Sequence, residues 1–228
     1  MPVATPPSTT ISCTTQLVRR PTPLAMARGY AVFANGGYLV QPYFISKIVD
    51  DRGNVLGSAR PQRAGEEALR AIDTRNTFIM DSMMQDVARY GTAASIAKLG
   101  RRDLAGKTGT TNDFVDAWFC GYHPELVGVA WVGYDQPRSL GKNQTGGRVA
   151  LPIWIEYMSK VLKGYSEWPR TVPEGVVSAR LDPDPLGEGK GGAEFFYREF
   201  VPKNEPAAPL PGAAPPARSA QDRVPGAY

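Results

Sequence analysis

The residues best suited to chemistry lie in the stretch Gly106-Lys107-Thr108-Gly109-Thr110. A Lys-Thr-Gly sequence on an edge strand is typical of the wall of an acyl-transfer site. Alternation along a strand places Thr108 and Thr110 on one face, where two hydroxyls can hold a substrate carboxylate. Gly109 carries no side chain, so another backbone can lie close along the strand.

Charge and a backbone donor add to this interpretation. The N–H of Thr110 can donate to an oxyanion. The ammonium group of Lys107 favours an anionic substrate terminus and the deprotonated form of a neighbouring hydroxyl or amine. We therefore predict a catalytic role for Lys107 and a substrate-binding role for Thr108, Gly109 and Thr110.

The same residues allow a second interpretation, because Gly-Lys-Thr also ends a Walker A phosphate loop. That loop needs a glycine five positions before its last glycine, but position 101 is arginine and Gly100 comes one residue too early. A Walker lysine also opens a helix, whereas Lys107 leads into a strand and a turn. We therefore do not expect nucleotide binding.

Two further candidates for catalysis are interpreted as structural. His123, the only histidine, precedes Pro124 in a turn, so we expect it to be solvated and without an orienting partner. Ser95 and Lys98 have the spacing Ser-x-x-Lys, which can place a lysine as base beside a serine. They fall in the loop before the Lys-Thr-Gly strand, and spacing alone does not make a nucleophile.

The strand that carries the lysine needs neighbours, and the sequence supplies them. Three short stretches rich in β-formers, LAGKTGTT, FVDAWFCGY and ELVGVAWVGY, are separated only by the turns Asn112-Asp113 and His123-Pro124. Turns this short join antiparallel neighbours. The last two stretches are nearly continuous in apolar residues, which is typical of a sheet buried on both faces. The pattern predicts an α+β fold.

Three helices are predicted around this sheet. The first begins after Thr22 and ends at Gly36-Gly37, and the second begins after Asp73. The third, VALPIWIEYMSKVLKG, has an apolar stripe that can cover one face of the sheet. Nothing else before Gly100 is an obvious cover for the other face, so we expect that layer to lie outside this chain and the isolated chain to be poorly soluble.

Composition excludes several classes of protein. Of 228 residues, 42% are apolar and 21% charged, as in a globular domain. The net charge of +4 comes from scattered cations, which argues against a nucleic-acid-binding domain. No apolar run approaches the ~18 residues of a membrane span, and the start lacks the pattern of a secretory signal. Cys13 and Cys120 make no disulfide framework and no metal-ligand spacing, and we expect Cys120 to be a buried apolar residue.

Four segments together resemble a known family. In chain order they are TPLAMARGYAVFANGGY, DLAGKTGTTNDFVDAWFCGY, LVGVAWVGYD and GGRVALPIW. They are similar to the C-terminal part of the transpeptidase domain of class A penicillin-binding proteins, of the 1A type. Weaker likeness in VPEGVVSARLDP and EFFYREFVP extends the resemblance to about Pro202. We therefore predict an unmatched segment over 1–21, a partial transpeptidase domain over 22–200 and a Pro-rich disordered tail over 201–228.

The resemblance implies an activity and a gap. In the family a serine attacks the D-Ala–D-Ala amide of a peptidoglycan stem peptide, and the acyl group then passes to an amine of a neighbouring stem. Three motifs build that site, and only the third matches here, at Lys107-Thr108-Gly109. No Ser-x-Asn occurs in the sequence, and the family's nucleophile lies far upstream of Lys-Thr-Gly, which argues against Ser95. We therefore expect a fragment without its nucleophile, inactive by itself, such as a frameshift or an internal start produces.

The resemblance also implies partners and a location, and it leaves alternatives open. The intact protein is expected on the periplasmic side of the bacterial inner membrane, to bind stem peptides and β-lactams, to carry a glycosyltransferase domain upstream, and to need no metal or cofactor. One alternative is a non-catalytic or degenerate penicillin-binding module. Another is a serine β-lactamase, which shares Lys-Thr-Gly, although the Pro-rich tail and the first matching segment favour cell-wall synthases.

Overall fold

A computed structural model of the chain describes residues 21–180 and 193–202. The expectations for the first 20 residues and for the tail from residue 203 onward lie outside the described residues. The chain divides into two compact units, Met1–Glu174 and Gly175–Tyr228. The first unit combines helices with antiparallel sheets and contains the Lys-Thr-Gly strand, so the α+β prediction is confirmed.

The first unit contains three α-helices and seven strands within its described residues. The helices are α1 (Pro23–Ala34), α2 (Thr74–Arg89) and α3 (Leu151–Val161). The strands are β1 (Tyr38–Leu39), β2 (Lys47–Val49), β3 (Val55–Ser58), β4 (Leu69–Arg70), β5 (Ala105–Thr110), β6 (Ala117–His123) and β7 (Leu126–Val132). Shorter helical turns are Ala94–Leu99, Asn112–Phe114 and the π-helical turn Gly146–Ala150.

The two predicted helix starts follow from their caps. The Thr22 hydroxyl accepts a hydrogen bond from the N–H of Ala25, at 3.2 Å, and Pro23 occupies the first helical position of α1. The Asp73 carboxylate accepts from the N–H of Arg75, at 2.9 Å, at the start of α2. Both side chains satisfy N–H groups that the helix itself leaves without a partner.

The central sheet has the order β5-β6-β7 and is antiparallel throughout. Thr108 lies opposite Phe119, and His123 lies opposite Leu126 across a tight hairpin. The three predicted strands are therefore present in the predicted order. β5 and β7 are the outer strands, and in the described part of the chain neither outer edge is paired with another strand.

One face of the sheet is covered by α3, as predicted. Trp154 of this helix is buried, and its ring meets that of Phe119 edge to face, with the centroids 5.0 Å apart. The indole N–H donates to the carbonyls of Gly121 and Gly128, at 3.3 and 3.1 Å. A Cβ on either glycine would come within 2.8 Å of the indole, so the two glycines make room for it.

The other face is covered by α1, which corrects the expectation that the chain lacks a cover for it. Ala34 of α1 packs with Ala105 and Tyr122 of the sheet in a second buried cluster. The cover is incomplete, because Trp131 is on the same face of the sheet and is 38% exposed. The sequence argument underestimated α1, since a helix with several alanines can lie close to a sheet and bury much of it.

The segment between α1 and α2 forms two small antiparallel pairs, β1–β4 and β2–β3. The turn at Asp51–Gly53 closes the β2–β3 hairpin, where Gly53 has a φ of 84°. The Asp50 carboxylate accepts from the N–H groups of Arg52 and Asn54 in this turn.

The second unit contains a hairpin of β8 (Val176–Arg180) and β9 (Ala193–Tyr197), followed by the turn Arg198–Phe200. Over the described residues of both units, no helix is long and apolar enough to cross a membrane.

Candidate active-site wall

Strand β5 carries the Lys-Thr-Gly sequence from the core to the surface. Ala105 and Gly106 are buried, whereas Lys107 and Thr110 are exposed. The N–H of Thr111 donates to the carbonyl of Asp116 across the ladder, at 3.1 Å. Successive backbone groups on an antiparallel strand point to opposite sides. The N–H of Thr110 therefore points away from β6, toward the open edge.

The ammonium group of Lys107 also lies at this edge. Its Nζ donates to the carbonyl of Thr108, at 3.0 Å, and lies 3.4 Å from the hydroxyl of the same residue. A positive charge, a hydroxyl and an outward N–H thus lie along one strand edge. This combination can bind an anion and donate to an oxyanion.

The two threonine hydroxyls face the same side of the sheet, and each has a partner within the chain. Thr108 Oγ1 lies 2.7 Å from the hydroxyl oxygen of Thr92, in the segment that leaves α2. Thr110 Oγ1 accepts from the N–H of Gly146, at 3.0 Å. Sequence reasoning gave neither Thr92 nor Gly146 a role in the site.

Gly146 lies directly over the β5–β6 ladder. A Cβ at this position would come 2.5 Å from the carbonyl oxygen of Gly109 and would also collide with the carbonyl of Trp118. This contact depends on the missing side chain of Gly146 and not on that of Gly109, because an added Cβ at Gly109 would meet Trp118 and no atom of Gly146. Gly109 itself leaves room for the side chain of Trp118, whose Cβ would lie 3.2 Å from an added Cβ.

His123 is not a solvated turn residue, which corrects the sequence-based expectation. It is 1% exposed, and its Nδ1 accepts from the N–H of Glu125, at 3.2 Å. The other ring nitrogen, Nε2, lies 3.2 Å from Oδ2 of Asp103. The ring also meets Tyr165 edge to face. His123, the last residue of β6, is therefore a buried residue of the core.

The carboxylate of Asp103, two residues before β5 begins, accepts several hydrogen bonds. Arg101 donates to both carboxylate oxygens, at 3.0 and 2.7 Å, and the N–H of Trp168 donates at 2.9 Å. Burial raises the pKa of this carboxyl, but the bonds from Arg101 and Trp168 outweigh it, and the pKa of Asp103 lies below its usual range. The cluster fixes the start of the Lys-Thr-Gly strand to the segment after α3.

A second buried carboxylate joins α2 to the sheet. Asp81 accepts from the hydroxyl of Tyr122, at 2.7 Å, and from Gln85, at 2.8 Å, and its Oδ2 lies 2.7 Å from Nε of Arg170. Burial raises the pKa of Asp81, against the opposing effect of Arg170. A cavity of about 200 Å³ lies beside this cluster, lined also by Phe33.

Ser95 lies on the helical turn Ala94–Leu99, which packs on the core through Ile96. Ser95 and Lys98 are both exposed, and no hydrogen bond joins them in the described structure. Cys120 is buried, as expected, and burial raises the pKa of its thiol to about 11. Among the described residues, no group of three or more His, Cys, Asp or Glu side chains could hold a metal ion.

The comparison with protein families decides the classification. The model of the penicillin-binding protein transpeptidase domain matches residues 17–159. The chain belongs to this family. The four predicted site residues, Lys107, Thr108, Gly109 and Thr110, lie within the matched region, and their roles stay predictions.

Curated relatives from the same family show how much of a longer protein this chain matches. Penicillin-binding protein 1A of Neisseria flavescens is 49% identical over 178 residues, which cover 78% of this chain and 21% of the relative. Penicillin-binding protein 1A of Pseudomonas aeruginosa is 38% identical over 240 residues, covering 86% of this chain and 29% of the relative. The chain therefore spans between a fifth and a third of the length of these two relatives.

Solved structures agree with the fold. Penicillin-binding protein 1A from Haemophilus influenzae matches with a TM-score of 0.73 and 33% identity, over 80% of this chain and 32% of that one. A structure of the D,D-transpeptidase domain of a peptidoglycan glycosyltransferase from Eggerthella lenta matches with a TM-score of 0.50 and 27% identity. This chain covers 37% of that domain structure, so the transpeptidase domain of that protein is longer than the part matched here.

Proposed function

We propose that this chain supplies the Lys-Thr-Gly wall of a serine D,D-transpeptidase that cross-links peptidoglycan. The observation that carries the proposal is the open edge of β5, where the ammonium of Lys107, the hydroxyl of Thr108 and the outward N–H of Thr110 lie in sequence. The family model, a penicillin-binding protein transpeptidase domain, supports this reaction, and the name of the curated relatives, penicillin-binding protein 1A, supports binding of β-lactams.

In this proposal the wall binds the carboxylate end of a stem peptide. The Lys107 ammonium and the Thr108 hydroxyl bind the terminal carboxylate, and Gly109 leaves the strand edge free of a side chain. The Thr110 N–H donates to the oxygen of the scissile carbonyl, where negative charge develops when a nucleophile attacks.

The attacking serine comes from residues outside this sequence. Its Oγ bonds to the carbonyl carbon of the penultimate D-alanine, and its proton passes through a base to the departing amine of the terminal D-alanine. An amine of a neighbouring stem peptide then attacks the ester carbon. The C–N bond of the new amide forms, the C–O bond to the serine breaks, and the proton of the amine passes through the base to the serine oxygen. The intact protein acts on the periplasmic side of the inner membrane, and no step requires a metal or cofactor.

A second candidate is a penicillin-binding module without turnover. It is favoured by the lack of Ser-x-Asn in the sequence and by the exposed position of Ser95, where no base is bonded to it. The two candidates differ in covalent chemistry: a transpeptidase forms an acyl-enzyme that survives denaturation, and the module does not.

Labelling with fluorescent penicillin tests the proposal in two proteins: this chain alone, and a chimera in which the preceding part of the Neisseria flavescens relative is fused to it. We expect no label on the chain alone and a denaturation-resistant label on the chimera. Lys107→Ala should lower the acylation rate of the chimera by about 100-fold or more, because one electrostatic contact at such a site is worth that much. Lys98→Ala, a matched exposed lysine, should leave the rate unchanged.

Two outcomes would contradict the proposal. A stable label on the chain alone would place a nucleophile within these residues, with Ser95 as the first to replace by alanine. A folded chimera that takes no label, or that labels equally well with Lys107→Ala, would mean that the β5 edge is not the wall of a transpeptidase site.

A further inference from the structure

The hydroxyl of Thr108 forms a hydrogen bond with a residue outside the Lys-Thr-Gly sequence, Thr92. Thr92 Oγ1 lies 2.7 Å from Thr108 Oγ1, across 16 positions of the chain. Among the described residues, Thr108 is the only side-chain hydrogen-bond partner of Thr92. Thr92 is exposed, so this bond is not a by-product of core packing.

The backbone on both sides of Thr92 is fixed. The N–H of Gly91 donates to the carbonyls of Asp86 and Val87 at the end of α2, and the N–H of Ala93 donates to Val87 at 3.2 Å. Ala93 itself is fully buried. Thr92 therefore presents its hydroxyl to β5 from a rigid position, whereas the Lys107 side chain that also approaches Thr108 is long and exposed.

Either hydroxyl can be the donor of this bond, and the donor inventory says what each direction leaves for a ligand. A threonine hydroxyl has one proton and two lone pairs, and an ammonium group can only donate. If Thr92 donates to Thr108, then Thr108 keeps its own proton for a ligand at the open edge. In this direction Thr92 donates to Thr108, and Thr108 donates to the negatively charged carboxylate of the ligand. Each hydrogen bond in such a series polarises the next one.

We propose that Thr92 is a positioning residue of this site: its hydroxyl donates to Thr108 Oγ1 and directs the Thr108 O–H toward a ligand carboxylate at the β5 edge. The inference rests on the proposed function, since it takes the carboxylate of a D-alanyl terminus as the ligand. Thr92 itself does not touch the ligand and acts through Thr108.

Two variants separate the hydroxyl from the shape of the side chain. Thr92→Val keeps the branched shape and removes the donor, whereas Thr92→Ser keeps the donor. Thr171→Val, at an exposed threonine elsewhere in the first unit, is the matched control. The first readout is the χ1 rotamer of Thr108, from three-bond couplings to its methyl carbon in the labelled 228-residue chain. We expect one rotamer in the wild type, Thr92→Ser and Thr171→Val, and rotamer averaging in Thr92→Val.

The second readout is binding of N-acetyl-D-alanyl-D-alanine, followed at the amide signals of Thr108 and Thr110. Thr92→Val should raise the dissociation constant by about 3- to 10-fold, the worth of one hydrogen bond. Thr92→Ser and Thr171→Val should stay within about twofold of the wild type, because the bond at issue is intact in both.

Each other outcome overturns the inference. If Thr92→Val keeps both the single Thr108 rotamer and the wild-type affinity, the hydroxyl of Thr92 does not position Thr108. The same conclusion follows if Thr92→Ser loses the rotamer and the affinity as Thr92→Val does. Rotamer averaging with unchanged affinity means that the orientation of Thr108 does not matter to the ligand. Lower affinity with a fixed rotamer makes Thr92 a direct contact instead. If the peptide leaves the wild-type signals of Thr108 and Thr110 unmoved, the proposed carboxylate site itself fails, and this result is distinct from the others.

Discussion

At the scale of single residues, the candidate wall depends on two positions that supply no reactive group. The hydroxyl of Thr92 forms a hydrogen bond with the hydroxyl of Thr108, and the N–H of Gly146 donates to the hydroxyl of Thr110. Both hydroxyls were predicted from the alternation of β5, but their partners within the chain were not. The wall is thus partly ordered before any ligand arrives, which lowers the entropic cost of binding.

Replacing Gly146 by alanine should destabilise the first unit. The new Cβ would lie 2.5 Å from the Gly109 carbonyl and would press on the Trp118 carbonyl, and neither backbone group can move away without disturbing the ladder. We expect a loss of about 1–3 kcal/mol in the free energy of unfolding, measured by urea denaturation.

Gly29→Ala is the matched control, because nothing lies within 4 Å of an added Cβ there and Gly29 is inside α1. It should be neutral or should stabilise by up to about 1 kcal/mol, since alanine is the better helix former. Equal stability of Gly146→Ala and the wild type would show that the π-helical turn yields easily and that Gly146 does not define the wall.

At the scale of elements, β5 is held at both of its ends by other parts of the first unit. Near its start, Asp103 binds Arg101 and the backbone of Trp168 and faces buried His123. At its far end, Gly146 and the π-helical turn lie over it. The sequence predicted the strand and the helix α3, but it gave no sign of the polar cluster that joins them.

Asp103→Asn should lower the free energy of unfolding at pH 7 by about 2–4 kcal/mol, because it leaves the Arg101 guanidinium without its charged partner. The pKa of Asp103 is lowered in the folded state. Its contribution to stability is therefore present above the unfolded pKa, about 3.9, and is lost as pH falls through the folded pKa.

Urea titrations between pH 7 and pH 2 measure this effect. The difference between the wild type and Asp103→Asn should be largest near neutral pH and should shrink in acid. Asp51→Asn, at an exposed turn position, should follow the wild type throughout. A stability difference that does not change with pH would mean that the amide disturbs packing and that the charge of Asp103 is not what holds β5.

At the scale of the whole molecule, the central sheet ends in an open strand. β7 is seven residues long and has no partner on its outer side among the described residues. Trp131 on this strand is 38% exposed, and Ile153 and Tyr157 beside it on α3 are about half exposed. Long, apolar strand edges pair with other chains. The cover supplied by α1 removes one reason for the predicted poor solubility, and the edge remains as another.

The isolated chain should therefore associate at micromolar concentration, and Trp131→Lys should reduce the association, because a charge on an edge strand blocks further pairing. Leu56→Lys is the matched control, at a residue of the β2–β3 hairpin that is 68% exposed. Sedimentation velocity measures both variants. If the wild type is monomeric over the whole range, or if Leu56→Lys is as effective as Trp131→Lys, the β7 edge is not the site of association.

The sequence by itself determined the local structure: the caps at Thr22 and Asp73, the three strands, and the Lys-Thr-Gly residues at a strand edge. These features depend on residues within a few positions of one another, where periodicity and capping rules apply. The same local rules led to the wrong expectation for His123, since a histidine before proline gives no sign of distant partners.

Only the tertiary structure decided which distant residues meet. Thr92 and Thr108 are 16 positions apart, and Thr110 and Gly146 are 36 apart. Asp103 and Tyr165 reach His123 from elements on either side of it in the chain. The physical reason is that packing of helices on the sheet brings these pairs together, whereas periodicity shows only which face of an element is buried and not which distant residue it meets.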